Sequence, residues 1–179
     1  MNSRVIQIMI ADDHFVVRQG VRQMLCLYPD LTVQDEAASG IEVLEKLDKT
    51  LPDLLLMDMT MPGLAGRALI EQVRRRHGEL PILVLSMHKD AQVALEALRA
   101  GANGYLTKDS EPATLAMAIR KVVGGGRYVD QSLAEQLVFA SLSPRASRLE
   151  ALSPREREIL QLIVAGVSLI DIGHRLHLS

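Results

Sequence analysis

The sequence predicts an α/β fold in which helices cover both faces of a parallel sheet. Short apolar runs alternate strictly with helical patterns up to Gly124, and this alternation is typical of parallel strands joined by crossover helices. Hydrophobic residues make up 48% of the 179-residue chain but aromatic residues only 3%. The core must therefore be aliphatic, which suits a buried parallel sheet. A small all-α segment is predicted at the C-terminus.

The first two strand–helix units are predicted from an apolar run, a helical spacing and a capping motif. Residues 5–10 form a β-rich run. The next apolar residues have the spacing i, i+4, i+7, i+8, which is typical of one helix face. They are Val17, Val21, Met24 and Leu25. Residues 32–37 form a weaker strand. The Ser39-Gly40-Ile41-Glu42 sequence has the form of a capping box and opens a helix that runs to Leu47.

Three further units follow with clear turn signals. Strands are predicted at residues 53–57, 81–85 and 104–107, and helices at about 65–77, 90–100 and 110–123. The Pro62-Gly63 pair marks the turn before the first of these helices, and Gly101 is a typical C-cap for the second. Pro112 suits the first turn of the third helix. The run Gly124-Gly125-Gly126 should end that helix, since glycine destabilises helix interiors.

Composition narrows the class of protein. A formal net charge of -2 predicts no strong attraction to nucleic acid or membrane. The single cysteine, Cys26, excludes an internal disulfide and suits a reducing cytosol; we expect it to be buried on or near the apolar face of the first helix. The N-terminus has no signal-peptide pattern, and no apolar run reaches the roughly 20 residues of a membrane helix. A soluble cytoplasmic protein without membrane contact is expected.

Five polar residues follow or end the predicted strands. Asp12 and Asp13 follow the first strand, Asp58 the third, Ser86 the fourth and Lys108 the fifth. The carboxyl ends of parallel strands share one edge, where ligands bind. Crowded carboxylates favour Mg²⁺, and a metal-bound carboxylate can attack phosphorus. The ammonium and the hydroxyl would then bind the phosphoryl oxygens.

Each of these residues also has an ordinary structural interpretation. An aspartate after a strand is commonly the N-cap of the next helix or a turn residue, and a single lysine is commonly solvated. Taken together, five matching residue types at one sheet edge favour a phosphoryl-accepting site.

The same residues stand in four motifs, which occur in order. They resemble the receiver signature of two-component response regulators, most closely that of the NarL/FixJ subfamily, over about residues 4–124. The motifs are Ala11-Asp12-Asp13-His14, the run from Leu55 to Gly66 around Asp58, Leu85-Ser86-Met87-His88, and the run from Gly101 to Lys108. The resemblance implies a receiver domain at residues 1–125. Its fold would be flavodoxin-like, a doubly wound five-stranded parallel sheet in the order 2-1-3-4-5.

The resemblance also implies a role for each site residue. Asp58 would be the phosphoacceptor for a sensor histidine kinase. The Mg²⁺ ligands would be Asp12, Asp13, Asp58 and the backbone carbonyl of Thr60, and the phosphoryl-binding and switch residues would be Ser86, Tyr105 and Lys108. Without the resemblance, Tyr105 reads as a half-buried core aromatic. Asp109 replaces the proline usual after this lysine, which leaves the geometry of that peptide bond open.

The C-terminal part reads as a linker at residues 126–150 and the start of a second domain at residues 151–179. The run from Leu152 to Leu160 and Gly166-Val167-Ser168 resemble the opening of a LuxR-type helix-turn-helix domain. In that family the next helix enters the major groove, and the sequence stops at Ser179, where that helix would begin. Leu169-Ile170 also replaces the usual Asn-Lys. No intact DNA-binding surface is therefore expected in this chain, and DNA binding is expected only for a longer form.

Three functions are compatible with these features. The first is a response regulator of transcription, switched by phosphorylation and acting as a homodimer. The second is a phospho-switched protein-interaction module that does not bind DNA. The third is a phosphatase with an aspartyl-phosphate intermediate, which needs a general acid two residues after the nucleophile. That position is Thr60, so the sequence predicts a regulator and not an enzyme.

Overall fold

The computed structural model describes residues 4–87, 89–130 and 133–136, and it contains the predicted strand–helix alternation. Its strands are β1 (Ile6–Ala11), β2 (Leu31–Ala37), β3 (Leu54–Met57), β4 (Ile82–Ser86), β5 (Gly104–Thr107) and β6 (Tyr128–Val129). Its helices are α1 (Phe15–Leu25), α2 (Gly40–Leu47), α3 (Gly66–Arg76), α4 (Ala91–Ala100) and α5 (Pro112–Val123). The predicted helix-turn-helix segment and residues 131–132 and 137–150 of the predicted linker lie outside the described residues.

The sheet is parallel throughout, in the order β2-β1-β3-β4-β5-β6. The predicted doubly wound α/β class and the order of the first five strands are confirmed. Side chains alternate between the two faces, as the two-residue strand period requires. Met9, Leu55 and Val84 belong to the core that packs against α2, α3 and α4, whereas Ile8 and Leu56 belong to the core against α1 and α5.

The sixth strand was not predicted. It lies within the segment expected to be a linker, and its two residues pair with Gly104 and Tyr105 of β5. A Cβ atom at Gly104 would lie 2.8 Å from the carbonyl oxygen of Tyr128, so glycine permits the close approach. Farther along, Leu133 is 4% exposed and belongs to the core beside α4. A two-residue strand is too short to show a periodic pattern, so only the pairing partner reveals it.

Local sequence signals explain where the helices begin and end. Ser39 Oγ accepts a hydrogen bond of 3.3 Å from the Glu42 amide at the start of α2. The Glu42 carboxylate accepts from the Ala38 amide at 2.8 Å, so the capping box closes one residue earlier than in its usual form. Gly101 ends α4 with a φ of 114°, a left-handed conformation that glycine adopts without strain.

The expectation of a buried cysteine was wrong, because Cys26 is exposed. Leu25 is the last residue of α1 and points into the core with 1% exposure. Cys26 follows it as the C-cap, and one helical step of about 100° turns its side chain away from that face.

Among the described helices, none combines the length and the apolar composition needed to cross a membrane.

Gly40 lets α2 lie directly against the loop between β3 and α3. A Cβ atom at this position would overlap the backbone oxygen of Leu64, so the loop would have to move. We expect Gly40→Ala to lower the free energy of unfolding by about 1–3 kcal/mol, as overpacking does. This cost exceeds the gain in helix propensity, which is at most about 1 kcal/mol.

Gly20→Ala is the matched control, because Gly20 lies inside α1 and a Cβ atom added there would meet no neighbouring part of the described protein within 4 Å. This substitution should instead raise the free energy of unfolding by about 0.5–1 kcal/mol. Urea denaturation of both variants tests the pair, and a stabilising effect of Gly40→Ala would contradict the close approach.

Candidate functional site

The backbone places the predicted site residues at the carboxyl edge of the sheet. The Asp58 amide donates to the carbonyl of Ala11 at 2.8 Å, and the Lys108 amide donates to the carbonyl of Ser86 at 2.8 Å. The Asp12 amide likewise donates to the last carbonyl of β2 at 3.1 Å. These bonds continue the hydrogen-bond pattern of the sheet one residue past the strands. They hold the backbone of Asp12, Asp58 and Lys108 in place, and with it the starting points of the three side chains.

Lys108 joins the two buried aspartates. Its Nζ atom donates to Asp12 Oδ2 at 2.5 Å and to Asp58 Oδ2 at 2.9 Å. The side chains of Lys108, Asp12 and Asp58 are 8%, 4% and 2% exposed. Burial alone would lower the pKa of Lys108, but the hydrogen bonds to the two aspartates outweigh it and raise that pKa above its ordinary value. The ammonium is therefore charged at neutral pH.

A second set of carboxylate oxygens faces away from Lys108. The Oδ1 atoms of Asp13 and Asp58 are buried and make no hydrogen bond within the described protein, although His14 Nδ1 lies 2.9 Å from Asp13 Oδ1 without hydrogen-bond alignment. Buried oxygens without donors are costly. Three carboxylates beside one ammonium also leave an excess of negative charge.

These residues fit a divalent cation. One donor atom from each of Asp12, Asp13, His14 and Asp58 can be chosen so that all lie within 4.8 Å of one another. Carboxylate oxygens are the ligands that Mg²⁺ prefers, and a cation would satisfy the two unpartnered oxygens. Sequence reasoning identified the three aspartates but missed His14 as a member of this group. The signal was present, since His14 directly follows Asp13 in the first motif.

Ser86 and Tyr105 are brought together beside the cluster. Both residues are fully buried at 0% exposure, so Tyr105 lies deeper than the half-buried aromatic that sequence reasoning allowed. Burial raises the pKa of the Tyr105 hydroxyl, and a side-chain hydrogen bond with Ser86 partly offsets this. Tyr105 packs in the same core as Ala94 and Ala97 of α4. One hydrogen bond and one packed aromatic side chain thus connect Ser86 with the core beside α4.

Two further site positions are resolved by the structure. Thr60 Oγ1 donates to Asp58 Oδ2 at 3.1 Å, so a hydroxyl and not a carboxylic acid stands two residues after the predicted phosphoacceptor. No peptide bond among the described residues is cis, which answers the question left open at Lys108-Asp109. The Asp109 carboxylate pairs with Lys89 at 2.5 Å on the surface.

The chain matches two known protein families. Residues 8–120 match the family described as "Response regulator receiver domain". Residues 150–179 match the family described as "Bacterial regulatory proteins, luxR family".

The chain belongs to the two-component response regulator family.

Relatives and solved structures support the same assignment for this response regulator. It is 34% identical over 181 residues to the nitrate/nitrite response regulator protein NarL of Escherichia coli K12, covering 99% of this chain and 84% of that protein. It is 32% identical over 177 residues to the response regulator UvrY of the same strain, covering 98% and 81%.

Two solved structures show the likeness in three dimensions. A LuxR-family two-component response regulator from Aurantimonas sp. SI85-9A1 has a TM-score of 0.74 and 35% identity, covering 78% of this chain and 99% of that one. RcsB from Salmonella enterica serovar Typhimurium, bound to promoter DNA in the presence of the phosphomimetic BeF3⁻, has a TM-score of 0.79 and 27% identity, covering 97% and 84%. This response regulator is accordingly a regulator of transcription with a receiver and a LuxR-type region.

Proposed function

We propose that Asp58 accepts a phosphoryl group from a sensor histidine kinase and that this modification switches the protein. The observation that carries the proposal is the different surroundings of the two oxygens of the Asp58 carboxylate. One oxygen is bound by Lys108 at 2.9 Å, and the other is buried without a hydrogen-bond partner in the described protein. An anionic oxygen held at the sheet edge beside a charged ammonium suits attack on phosphorus.

In the proposed reaction an Asp58 oxygen forms a bond to phosphorus while the phosphorus–nitrogen bond of a phosphohistidine breaks. The electron pair of that bond goes to the leaving imidazole of the kinase, and the product is an acyl phosphate. Lys108 keeps its proton and neutralises charge on the transferred group, as positioned cations do in phosphoryl transfer. No general acid is required at Thr60, and we propose no turnover of phosphate esters.

A bound Mg²⁺ would neutralise negative charge on the carboxylates and on the phosphoryl oxygens. We propose Asp12, Asp13, Asp58 and the backbone carbonyl of Thr60 as its ligands. The support is the group of donor atoms within 4.8 Å and its unpartnered oxygens. The carbonyl of Thr60 is included by resemblance to the family.

We propose that phosphorylation acts by changing the hydrogen bond between Ser86 and Tyr105. The Ser86 hydroxyl hydrogen bonds with Tyr105, and a phosphoryl group on Asp58 would offer it a charged acceptor, which forms a stronger hydrogen bond. The Tyr105 side chain, packed against α4, would respond to that exchange. We propose that this changes homodimerisation in the cytoplasm and, in a longer form of the chain, DNA binding. Support comes from a similar RcsB structure, described as two RcsB dimers bound to two parallel DNAs.

We also propose where the receiver ends. From the family resemblance we expected the receiver at residues 1–125 and the linker at residues 126–150, before the helix-turn-helix region at residues 151–179. Because β6 pairs with β5 and Leu133 is buried in the same core as α4, we propose that the receiver extends at least to Leu133.

Intact-mass measurement after incubation with acetyl phosphate and Mg²⁺ tests the proposed function. We expect one base-labile phosphoryl adduct on the wild type and none on Asp58→Asn. Asp48→Asn is the matched control, because Asp48 is half-exposed and pairs with Arg76 away from the cluster; it should be phosphorylated like the wild type. An adduct on Asp58→Asn, or none on the wild type with an active donor, would refute the assignment.

A further inference from the structure

The imidazole of His14 has no role in capping the helix that it precedes. His14 is the N-cap of α1, yet its side chain makes no cap hydrogen bond. Its backbone amide instead donates to Asp12 Oδ1 at 2.8 Å, which holds the residue beside the carboxylates. The side chain is 66% exposed, so its position is not explained by burial in the core.

The ring nitrogen lies where a cation ligand would lie. His14 Nδ1 is 2.9 Å from Asp13 Oδ1 and 3.3 Å from Asp12 Oδ1. Ligands bonded to one metal ion at about 2.1 Å are about 3 Å apart at right angles and about 4 Å apart when opposite. The two His14 separations match ligands at right angles, whereas the widest separation allowed within the cluster, 4.8 Å, exceeds the value for opposite ligands, so the side chains must close by several tenths of an ångström to share one ion.

A second observation points to a ligand at this place. Asp58 is 2% exposed, and its Oδ1 atom has no hydrogen-bond partner among the described residues. Lys108 binds the Oδ2 atoms of Asp12 and Asp58, so it does not satisfy Asp58 Oδ1. His14 Nδ1 contacts the Oδ1 atoms of Asp12 and Asp13.

We propose that His14 is an additional side-chain ligand of the cation site and gives it a preference for Mn²⁺, Co²⁺ or Zn²⁺ over Mg²⁺. Imidazole nitrogen suits these transition metals, whereas Mg²⁺ favours oxygen ligands and retained water. The donor set therefore mixes carboxylate oxygens with one nitrogen. This inference rests on the proposed function, since it assigns a further ligand to the cation site at Asp58.

Pulsed electron paramagnetic resonance of bound Mn²⁺ tests the ligand directly. We expect the full-length wild-type chain, loaded with Mn²⁺ alone, to show the ¹⁴N coupling of a coordinated imidazole. The coupling should be absent from His14→Ala, a substitution that removes an exposed ring without removing a cap hydrogen bond. His77→Gln is the matched control, because His77 lies at the end of α3 beside Asp48; this variant should keep the coupling.

Competition between metals gives the second readout. Zn²⁺ affinity, measured by displacement of Mn²⁺, should fall in His14→Ala by about 10- to 100-fold, the range seen when even a supporting residue of a metal site is lost. Mg²⁺ affinity should change much less, so that the ratio of the two affinities falls. An equal loss for Zn²⁺ and Mg²⁺ would overturn the proposed preference.

The outcomes separate this inference from the proposed function. Mn²⁺ bound without ¹⁴N coupling, or with coupling that persists in His14→Ala, overturns the role of His14 and leaves phosphorylation of Asp58 intact. No binding of Mn²⁺ or Mg²⁺ to the wild type overturns both the ligand role and the proposed metal site.

Discussion

Replacing Lys108 with methionine should lower the free energy of unfolding by about 3–5 kcal/mol, as removal of one partner from a buried ion pair does. The ammonium is bonded to both Asp12 and Asp58, and its loss leaves those carboxylates buried beside Asp13 without a counter-charge. Methionine keeps most of the side-chain volume, so the effect reports the charge and not a cavity. Urea denaturation at neutral pH without divalent metal measures it.

The dependence on pH and metal distinguishes this charge effect from a packing defect. The pKa of Lys108 is raised in the folded state, so its contribution is fully present below the unfolded pKa of about 10.4 and is lost as the pH rises through the folded value. The difference between wild type and Lys108→Met should therefore shrink only in strong alkali. Mg²⁺ should restore part of the stability of the variant by binding the same carboxylates.

Lys89→Met is the matched control for this substitution. Lys89 is 69% exposed and pairs with the exposed carboxylate of Asp109 at the same edge of the protein. Exposed ion pairs contribute little because water screens them, so stability should hardly change. A loss in Lys108→Met no larger than that in Lys89→Met would contradict the buried-pair interpretation.

Arg74→Ala should be the second strongly destabilising change, at about 2–4 kcal/mol, because hydrogen bonds to charged groups contribute about 1.5–3 kcal/mol each and are not additive. The guanidinium donates to the carbonyl of Gly101 at 2.8 Å, to the carbonyl of Leu80 at 2.5 Å and to Asn103 Oδ1 at 2.7 Å. One side chain thus ties the end of α3 to the start of β4 and the loop before β5. Thermal and urea denaturation both measure the loss.

Two variants make this second test specific. Arg75→Ala removes the neighbouring arginine, which is exposed, and should change stability little. Arg74→Lys keeps a charge but not the planar fork that reaches several acceptors at once, so it should recover only a small part of the loss. Full recovery by lysine would show that charge alone, and not the geometry of the guanidinium, stabilises this junction.

Much of the site was predictable because strand ends are visible in the sequence. Asp12, Asp58 and Lys108 each follow an apolar run, and parallel pairing requires such positions to share an edge. Their assigned roles remain predictions until phosphorylation and metal binding are measured. His14 was missed although it directly follows Asp13, because adjacency in sequence does not show which way an exposed ring points.

Local sequence alone determined the element types, the capping residues and the parallel α/β class, because apolar periodicity and turn chemistry act over a few residues. Tertiary structure decided what depends on partners distant in sequence: the pairing of β6 and the close approach of α2 at Gly40. It also decided that Lys108 binds Asp12 and Asp58 through their Oδ2 atoms, while the Oδ1 atoms of Asp13 and Asp58 have no hydrogen-bond donor in the described protein. The physical reason is that hydrogen bonds and contacts across the fold depend on distances of a few tenths of an ångström, which no local pattern encodes.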